Sequence, residues 1–206
     1  FGETHAAITG GGRSVPRISD SRSGTICHVF HIRSNTIRCA EAGETPTGAD
    51  GQFIIGMGAK YDHSNGQEEE LPAVVEIYNQ SIPSQCCTAD MEEVRIEDRL
   101  VWFHEHNPEK HPILIANVNG NVVGWCSLSA YRPGRTALRF TAEISYYIAR
   151  PYHRQGVATA LIRHAIAACP RLRIKNLFAI VLEANEASRR LMEKMGFERW
   201  AFLPRV

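Results

Sequence analysis

The first fifty residues contain no leucine, lysine, tryptophan or tyrosine, and the first leucine of the whole chain is Leu71. Glycine, serine, threonine and arginine prevail there, as in TGGGRSVPRISDSRSG. Such a segment cannot alone bury enough apolar surface to offset its ordering entropy. Residues 1–55 are therefore read as an N-terminal extension with no recognised domain, packed on the main domain, 56–206, or on a partner. Net charge is also lacking: 23 Lys and Arg against 22 Asp and Glu leave +1, which argues against nucleic acid or an acidic membrane surface as the main partner. No apolar run approaches the ~20 residues that cross a bilayer, and FGETHAAITGGG has neither the basic nor the apolar region of a signal peptide. The expectation is a cytoplasmic protein. Six cysteines (Cys27, Cys39, Cys86, Cys87, Cys126, Cys169) form no Cys-x-x-Cys pair and read as reduced, buried thiols. Cys27, His28 and His31 lack two further ligands at a finger-like spacing, so no metal is expected.

What is present suits a globular domain: 206 residues, 44% hydrophobic and 22% charged. Within the extension, ICHVFHI and TIRC suggest a hairpin around Ser34-Asn35, and Phe53 to Met57 could supply an edge strand. Leu71, Val74, Val75 and Tyr78 recur at helical spacing over Leu71 to Asn79, and a second helix is expected from Arg95 to His106, ended by Pro108. Between them, SIPSQCCTADMEEVRIED reads as a loop. Two β-rich runs flank Asn119-Gly120, a pair that readily takes the positive φ of a tight hairpin turn. A strand follows at Thr141 to Ala149, then a helix at Val157 to Ala168 stopped by Pro170, the buried-strand run LFAIVL, a helix from Glu186 to Met195 closed by Gly196, and a strand at Phe197 to Phe202. This order predicts an α/β fold with a mixed, mostly antiparallel central sheet flanked by helices.

The stretch FTAEISYYIARPYHRQGVAT joins a strand bearing one carboxylate, Glu143, to a glycine-containing loop and a helix start. The first N–H groups of a helix have no intrahelical partners and carry partial positive charge, so this junction is an anion site. Gly156 lets a phosphate approach the backbone, and Arg154 adds a full charge; a pyrophosphate suits it. An exposed main chain at Tyr146 to Ile148 could pair with a chain of amides as another strand would. Asn185 offers a donor and an acceptor to the same amides, or caps the helix from Glu186. A strand carboxylate commonly faces solvent; one beside a buried ligand site can act as a general base.

In combination, HRQGVATALI and LEANEASRRLMEKMGF resemble the GCN5-related N-acetyltransferases. That family's Gln/Arg-x-x-Gly-x-Gly/Ala loop is met by His153-Arg154-Gln155-Gly156-Val157-Ala158, with His153 departing at the first position. LPAVVEIYNQSI, RLVWFHEH before PILIA, NGNVVGWCSL and AEISYYI are similar to the phosphinothricin acetyltransferase group, whose members acetylate small amino acids such as phosphinothricin, methionine sulfone or methionine sulfoximine. The resemblance covers about Leu71 to Val206. It implies acetyl-CoA as co-substrate, held by Tyr146, Tyr147, Ile148, Arg154, Gln155, Gly156, Val157, Ala158, Thr159, Asn185 and Ser188. It also implies Glu143 as the base that deprotonates the substrate ammonium before attack on the thioester.

Arg132 and Arg135 are candidates for a substrate carboxylate or phosphinate, or form a solvated turn; Trp125 and Tyr131 would wall the pocket or pack in the core. A small-molecule amine is the expected partner, and a homodimer is compatible with the group. The alternatives are a peptide N-terminus or antibiotic amine as acceptor, or a non-catalytic CoA-binding module. Two departures stand out. Where many members carry a proton-donating tyrosine, this chain has Met192, leaving Ser188, Tyr146, Tyr147 or solvent to serve the departing thiolate. The family's last strand is missing or is supplied from elsewhere, with ICHVFHI and Phe53 to Met57 as candidates.

Overall fold

A computed structural model describes residues 26–33, 53–54 and 60–204. Their strands are β1 (Cys27–Arg33), β2 (Phe53–Ile54), β3 (Lys60–Asn65), β4 (Ile113–Val118), β5 (Asn121–Ala130), β6 (Thr141–Ile148), β7 (Asn176–Leu182) and β8 (Glu198–Leu203). Their α-helices are α1 (Leu71–Asn79), α2 (Ile96–His104), α3 (Val157–Ala168) and α4 (Glu186–Lys194). All eight strands form one sheet in the order β2-β3-β4-β5-β6-β7-β1-β8. Every pairing is antiparallel except β6 with β7.

The elements follow local chemistry. In α1, Pro72 sits in the first turn, where its missing N–H costs nothing, and Leu71, Val74, Val75, Ile77 and Tyr78 are buried. In α3, Leu161, Ile162, Ala165 and Ile166 are buried at helical spacing. The β4–β5 turn has φ of 51° at Asn119 and 80° at Gly120, as a two-residue primed turn requires. Asn185 caps α4 by accepting a hydrogen bond from the Ser188 N–H at 3.1 Å, and Gly196, at φ 84°, ends it. α2 is two residues shorter at its C-terminus than Pro108 implies, because the chain turns at His106 toward the Asn107–His111 bridge.

Helices cover both sheet faces. The larger core gathers Phe30, Ile32, Cys126, Leu128, Ile144, Leu177 and Ala179 beneath Leu161, Ile162, Ile166 of α3 and Met192 of α4. The smaller holds Leu71, Val74, Ile77 and Tyr78 of α1 against Ile113, Ile115 and Trp125.

The N-terminal region departs from expectation. β1 is a strand; TIRC, the expected second arm of its hairpin, lies outside the described residues. It is inserted between β7 and β8, antiparallel to both, with Phe30 opposite Ala179 and Arg199. Phe30 is 0% exposed and Ile32 3%. ICHVFHI thus stands in the same sheet as the strands that follow residue 55, between β7 and β8. Trp200 is the extra residue of a bulge against Val29 and Phe30. Phe53–Ile54 pairs with β3 at the far edge; the rest of the Phe53 to Met57 run lies outside the described residues. β3, the sequence KYDHSN, lacks the period-2 alternation of a strand; its main-chain pairing with β4 makes it one.

Gly124 of β5 sits opposite Ile148 of β6. A Cβ there would lie 2.6 Å from the Ile148 Cδ1 and 3.1 Å from the Tyr147 carbonyl oxygen. The methyl can swing aside; the backbone carbonyl cannot. Gly124→Val is expected to destabilise the fold by about 1–3 kcal/mol. Thermal unfolding checks this; an unchanged Tm contradicts the packing argument.

Candidate functional site

The site begins where two parallel strands part. β6 and β7 pair only at Thr141–Asn176, Ala142–Leu177 and Glu143–Phe178. Beyond that, Ile144 to Ile148 pair with β5 alone and Ala179 to Leu182 with β1 alone. The wedge leaves a main-chain edge open on each side. It forms one flank of a cavity of about 780 Å³ lined by both strands, the loop before α3 and the start of α4. Of the residues expected at the cofactor, Tyr146, Tyr147, Ile148, Arg154, Gly156, Val157, Ala158, Thr159, Asn185 and Ser188 all line it.

The loop is held by side chains turned back on the strand end. The His153 Nε2–H donates to the Ile148 carbonyl at 2.8 Å, and Gln155 Nε2 donates to the Pro151 carbonyl at 2.7 Å. Gln155 thus braces the loop and is not among the cavity-lining residues. His153, the position that departs from the family motif, ties the loop to β6 and takes up the Ile148 carbonyl. Gln80 secures the other side: its Oε1 accepts from the Arg150 N–H at 3.1 Å, and its main-chain oxygen accepts from Arg150 Nη2 at 2.8 Å.

Gly156 has φ 90°, a conformation L side chains rarely adopt, and no atom lies within 4 Å of where a Cβ would stand. The open space, the free N–H groups of the first α3 turn and the exposed Arg154 fit a diphosphate. The edge of β6 fits the amide arm of CoA. Asn185 does double duty. Its Oδ1 caps α4, which leaves the amide nitrogen for a ligand carbonyl.

Glu143 is the last paired residue of β6 before the wedge opens. It is half-buried between two fully packed neighbours, Ala142 and Ile144, that face the other way. Burial holds its carboxyl above the usual carboxylate range, and no described residue bonds it. Across the strand pair stands Ser129, whose Oγ lies 3.0 Å from His106 Nε2. His106 Nδ1 lies 2.6 Å from the Trp102 carbonyl, an acceptor only. The ring proton therefore sits on Nδ1, and Nε2 accepts the serine proton. Burial lowers the His106 pKa, partly offset by the Trp102 carbonyl, so the ring is neutral near pH 7. Sequence gave no reason to single out Ser129 or His106, because their relation to Glu143 exists only through strand register and a helix end.

Three candidates stand elsewhere. Trp125 is 4% exposed, donates its Nε1–H to the Val74 carbonyl at 3.0 Å and packs 4.9 Å from the Tyr147 ring. It is core under α1, not pocket wall, because the indole meets a helix carbonyl there. Arg132 and Arg135 are exposed on a turn that includes Gly134 at φ 81° and do not line the cavity. That turn leads into β6 at its Glu143 end. Tyr131 stacks on Phe178, ring centroids 5.3 Å apart.

Burial pushes the Cys169 thiol up to about 12 and raises Cys126 further still, which leaves neither a usable nucleophile. Cys86 and Cys87 line the cavity with sulfurs 3.5 Å apart, a placement no spacing rule predicts. His28 and His31 lie on opposite sheet faces. The first faces Glu183 at 3.1 Å and the second Asn176 at 3.3 Å, so they cannot share a metal.

Comparison with known proteins follows the same geometry. The model of the acetyltransferase (GNAT) family matches residues 71–197. YwnH of Bacillus subtilis, provisionally described as a phosphinothricin acetyltransferase, is 40% identical over 141 residues, 68% of this chain and 85% of that protein. The L-methionine sulfoximine/L-methionine sulfone acetyltransferase of Salmonella typhimurium is 28% identical over 137 residues, 66% of this chain and 80% of the relative. The structure of yncA from Salmonella typhimurium with its cofactor acetyl-CoA superposes with a TM-score of 0.63 at 25% identity, covering 68% of this chain and 81% of that one.

Proposed function

The chain belongs to the GNAT family of acetyltransferases and is an acetyl-CoA-dependent N-acetyltransferase; from that premise we propose that its acceptor is the α-amine of a small amino acid of the phosphinothricin or methionine sulfone type, with Glu143 as the base. The observation that carries this reading is the place of Glu143: a carboxylate whose acidity burial has weakened, at the apex of the wedge whose open edges suit CoA.

In this mechanism the loop from Arg154 to Thr159 holds the diphosphate and the edge of β6 the amide arm. Bound acetyl-CoA supplies the activated acyl carbon. Glu143 takes one proton from the substrate ammonium, directly or through a water, and frees the nitrogen lone pair for attack. A base with a raised pKa is better matched to an ammonium than an ordinary carboxylate. The buried, weakly acidic Cys126 and Cys169 favour direct transfer over an acetyl-cysteine intermediate. Arg132 and Arg135, on the turn entering β6, are assigned to the acceptor's acid group.

A thiol-release assay over a panel of amines tests the reading. Methionine sulfone, methionine sulfoximine or phosphinothricin should turn over with kcat/KM at least about 10-fold above peptide N-termini and aminoglycoside amines, a gap that one unmatched polar group can produce. Turnover of peptide or antibiotic amines alone would sink the acceptor assignment. Acetyl-CoA binding without turnover of any amine would point to a binding module.

A further inference from the structure

Two cavity-lining thiols take no part in acetyl transfer. Cys86 and Cys87 lie on the loop after α1, half-buried and free, with sulfurs 3.5 Å apart. Side chains pin this loop. The Tyr78 hydroxyl bonds Thr88 Oγ1 at 2.6 Å and also bonds Asp90, to which Arg99 Nη2 donates at 3.2 Å. Asn79 exchanges two hydrogen bonds with the Val94 main chain, at 2.9 and 3.0 Å. Just before the pair, Gln85 takes a left-handed φ of 51°, and the Cys86 sulfur lies 3.3 Å from Ser84 Oγ.

The pair stands beside the open edge of β6. Cys87 adds to the burial that raises the Tyr146 and Tyr147 hydroxyls, and those two residues belong to the edge that fits the amide arm of CoA. The two sulfurs are not equivalent. Burial raises the Cys87 thiol; Ser84 opposes this and the Cys86 sulfur adds to it. Cys87 therefore keeps its proton and points it at Cys86, which is the sulfur left to attack.

A disulfide joining the two would be strained. Neighbouring Cα atoms stand about 3.8 Å apart across a trans peptide, short of the roughly 4.4–6.8 Å that disulfides span. A sulfur from outside meets no such constraint, and the cavity selects which one arrives. Acetyl transfer releases CoA as a thiol, whose oxidised form is a disulfide carrying the same diphosphate and amide arm. The α3 loop and β6 edge that fit acetyl-CoA fit one half of that molecule as well. Bound there, it meets Cys86 at a high effective concentration.

We propose that Cys86 and Cys87 form a thiol–disulfide exchange site that captures CoA disulfide in the cofactor cavity, as a mixed disulfide on Cys86. This rests on the acetyl-CoA reading of the cavity and adds a covalent modification to it. The Cys86 thiolate attacks one sulfur of the CoA disulfide. A sulfur–sulfur bond forms to Cys86, the original one breaks, and its electron pair leaves on the second CoA sulfur. That sulfur takes up a proton in place of the one Cys86 lost, so one thiol and one disulfide yield one thiol and one disulfide. The tethered CoA occupies the acetyl-CoA site and blocks it until a thiol reductant releases it.

The test incubates reduced protein with CoA disulfide or with glutathione disulfide, which has the same sulfur–sulfur bond and no diphosphate. Intact mass should show one CoA per chain, peptide mapping should place it on Cys86, and dithiothreitol should remove it. The adduct should form at least about 10-fold faster than the glutathione one, and saturating acetyl-CoA should erase that difference. Acetyl-CoA binding capacity should fall in step with the adduct and return after reduction. Cys86→Ser should lose the adduct and Cys87→Ser should form it more slowly, with thermal melts showing that both variants are folded. Equal rates with the two disulfides, an adduct on another cysteine, or a Cys86–Cys87 disulfide without CoA overturns the proposal. An acetyl-CoA titration of the untreated protein separates the two readings. Binding without adduct formation strikes the capture alone, whereas absence of binding strikes the acetyl-CoA reading itself.

Discussion

Glu143→Gln is expected to lower kcat by about 10²- to 10³-fold, within the range general-base catalysis contributes, while acetyl-CoA binds as before. The amide keeps the shape of the side chain and removes only the ability to take a proton. Because no described residue bonds the carboxylate, no structural contact is lost with it. The pH profile adds a second criterion. Wild-type kcat/KM should fall on the acid side as Glu143 protonates, at a pH above the usual carboxylate range because burial raises it. That limb should be absent in the variant.

Stability should move the opposite way. In the window between the unfolded pKa and the raised folded one, the native state binds more protons than the unfolded chain. Stability contributed there is lost as pH rises. At neutral pH the variant, with no charge to bury, should therefore melt at or above the wild-type temperature. Wild-type turnover in Glu143→Gln, measured by thiol release with a confirmed substrate, would remove the mechanism.

Removing β1 should have the largest effect on the fold. β7 and β8 do not pair with each other; β1 pairs with each, over seven and five residue positions respectively. A chain that starts after Arg33 would leave a long, apolar strand edge on β7 beside the cofactor cavity, a template for association. It would also leave the space of Phe30 and Ile32 empty. Phe30→Ala alone should cost about 3–5 kcal/mol, a large part of the ~5–15 kcal/mol that holds an ordinary domain together. The truncated chain should be insoluble or molten by near-ultraviolet dichroism, and a peptide of residues 26–33 supplied in trans should restore a cooperative melt. A truncated chain that melts like the full one would show that β1 is dispensable.

Most of the domain was legible because its signals are local. Helical spacing marked α1, α3 and α4, Asn119-Gly120 marked the hairpin, and one continuous stretch marked the strand, glycine loop and helix start of β6 and α3. Trp125 stayed open between pocket and core because an indole in a hairpin can face either a pocket or a helix; only the Val74 carbonyl above it decides. β3 was missed because its stability comes from pairing with β4 and not from its own composition.

The sequence by itself, through its resemblance to a known family, pointed to the family and to acetyl-CoA as co-substrate, since that resemblance lies in short continuous stretches of chain. Only the tertiary structure decided which strand stands between β7 and β8, where β6 and β7 part, and how deeply the Glu143 carboxyl is buried. Those three facts depend on contacts between segments far apart in the chain. The partner of a strand edge and the environment of a buried proton are properties of what the fold brings beside them.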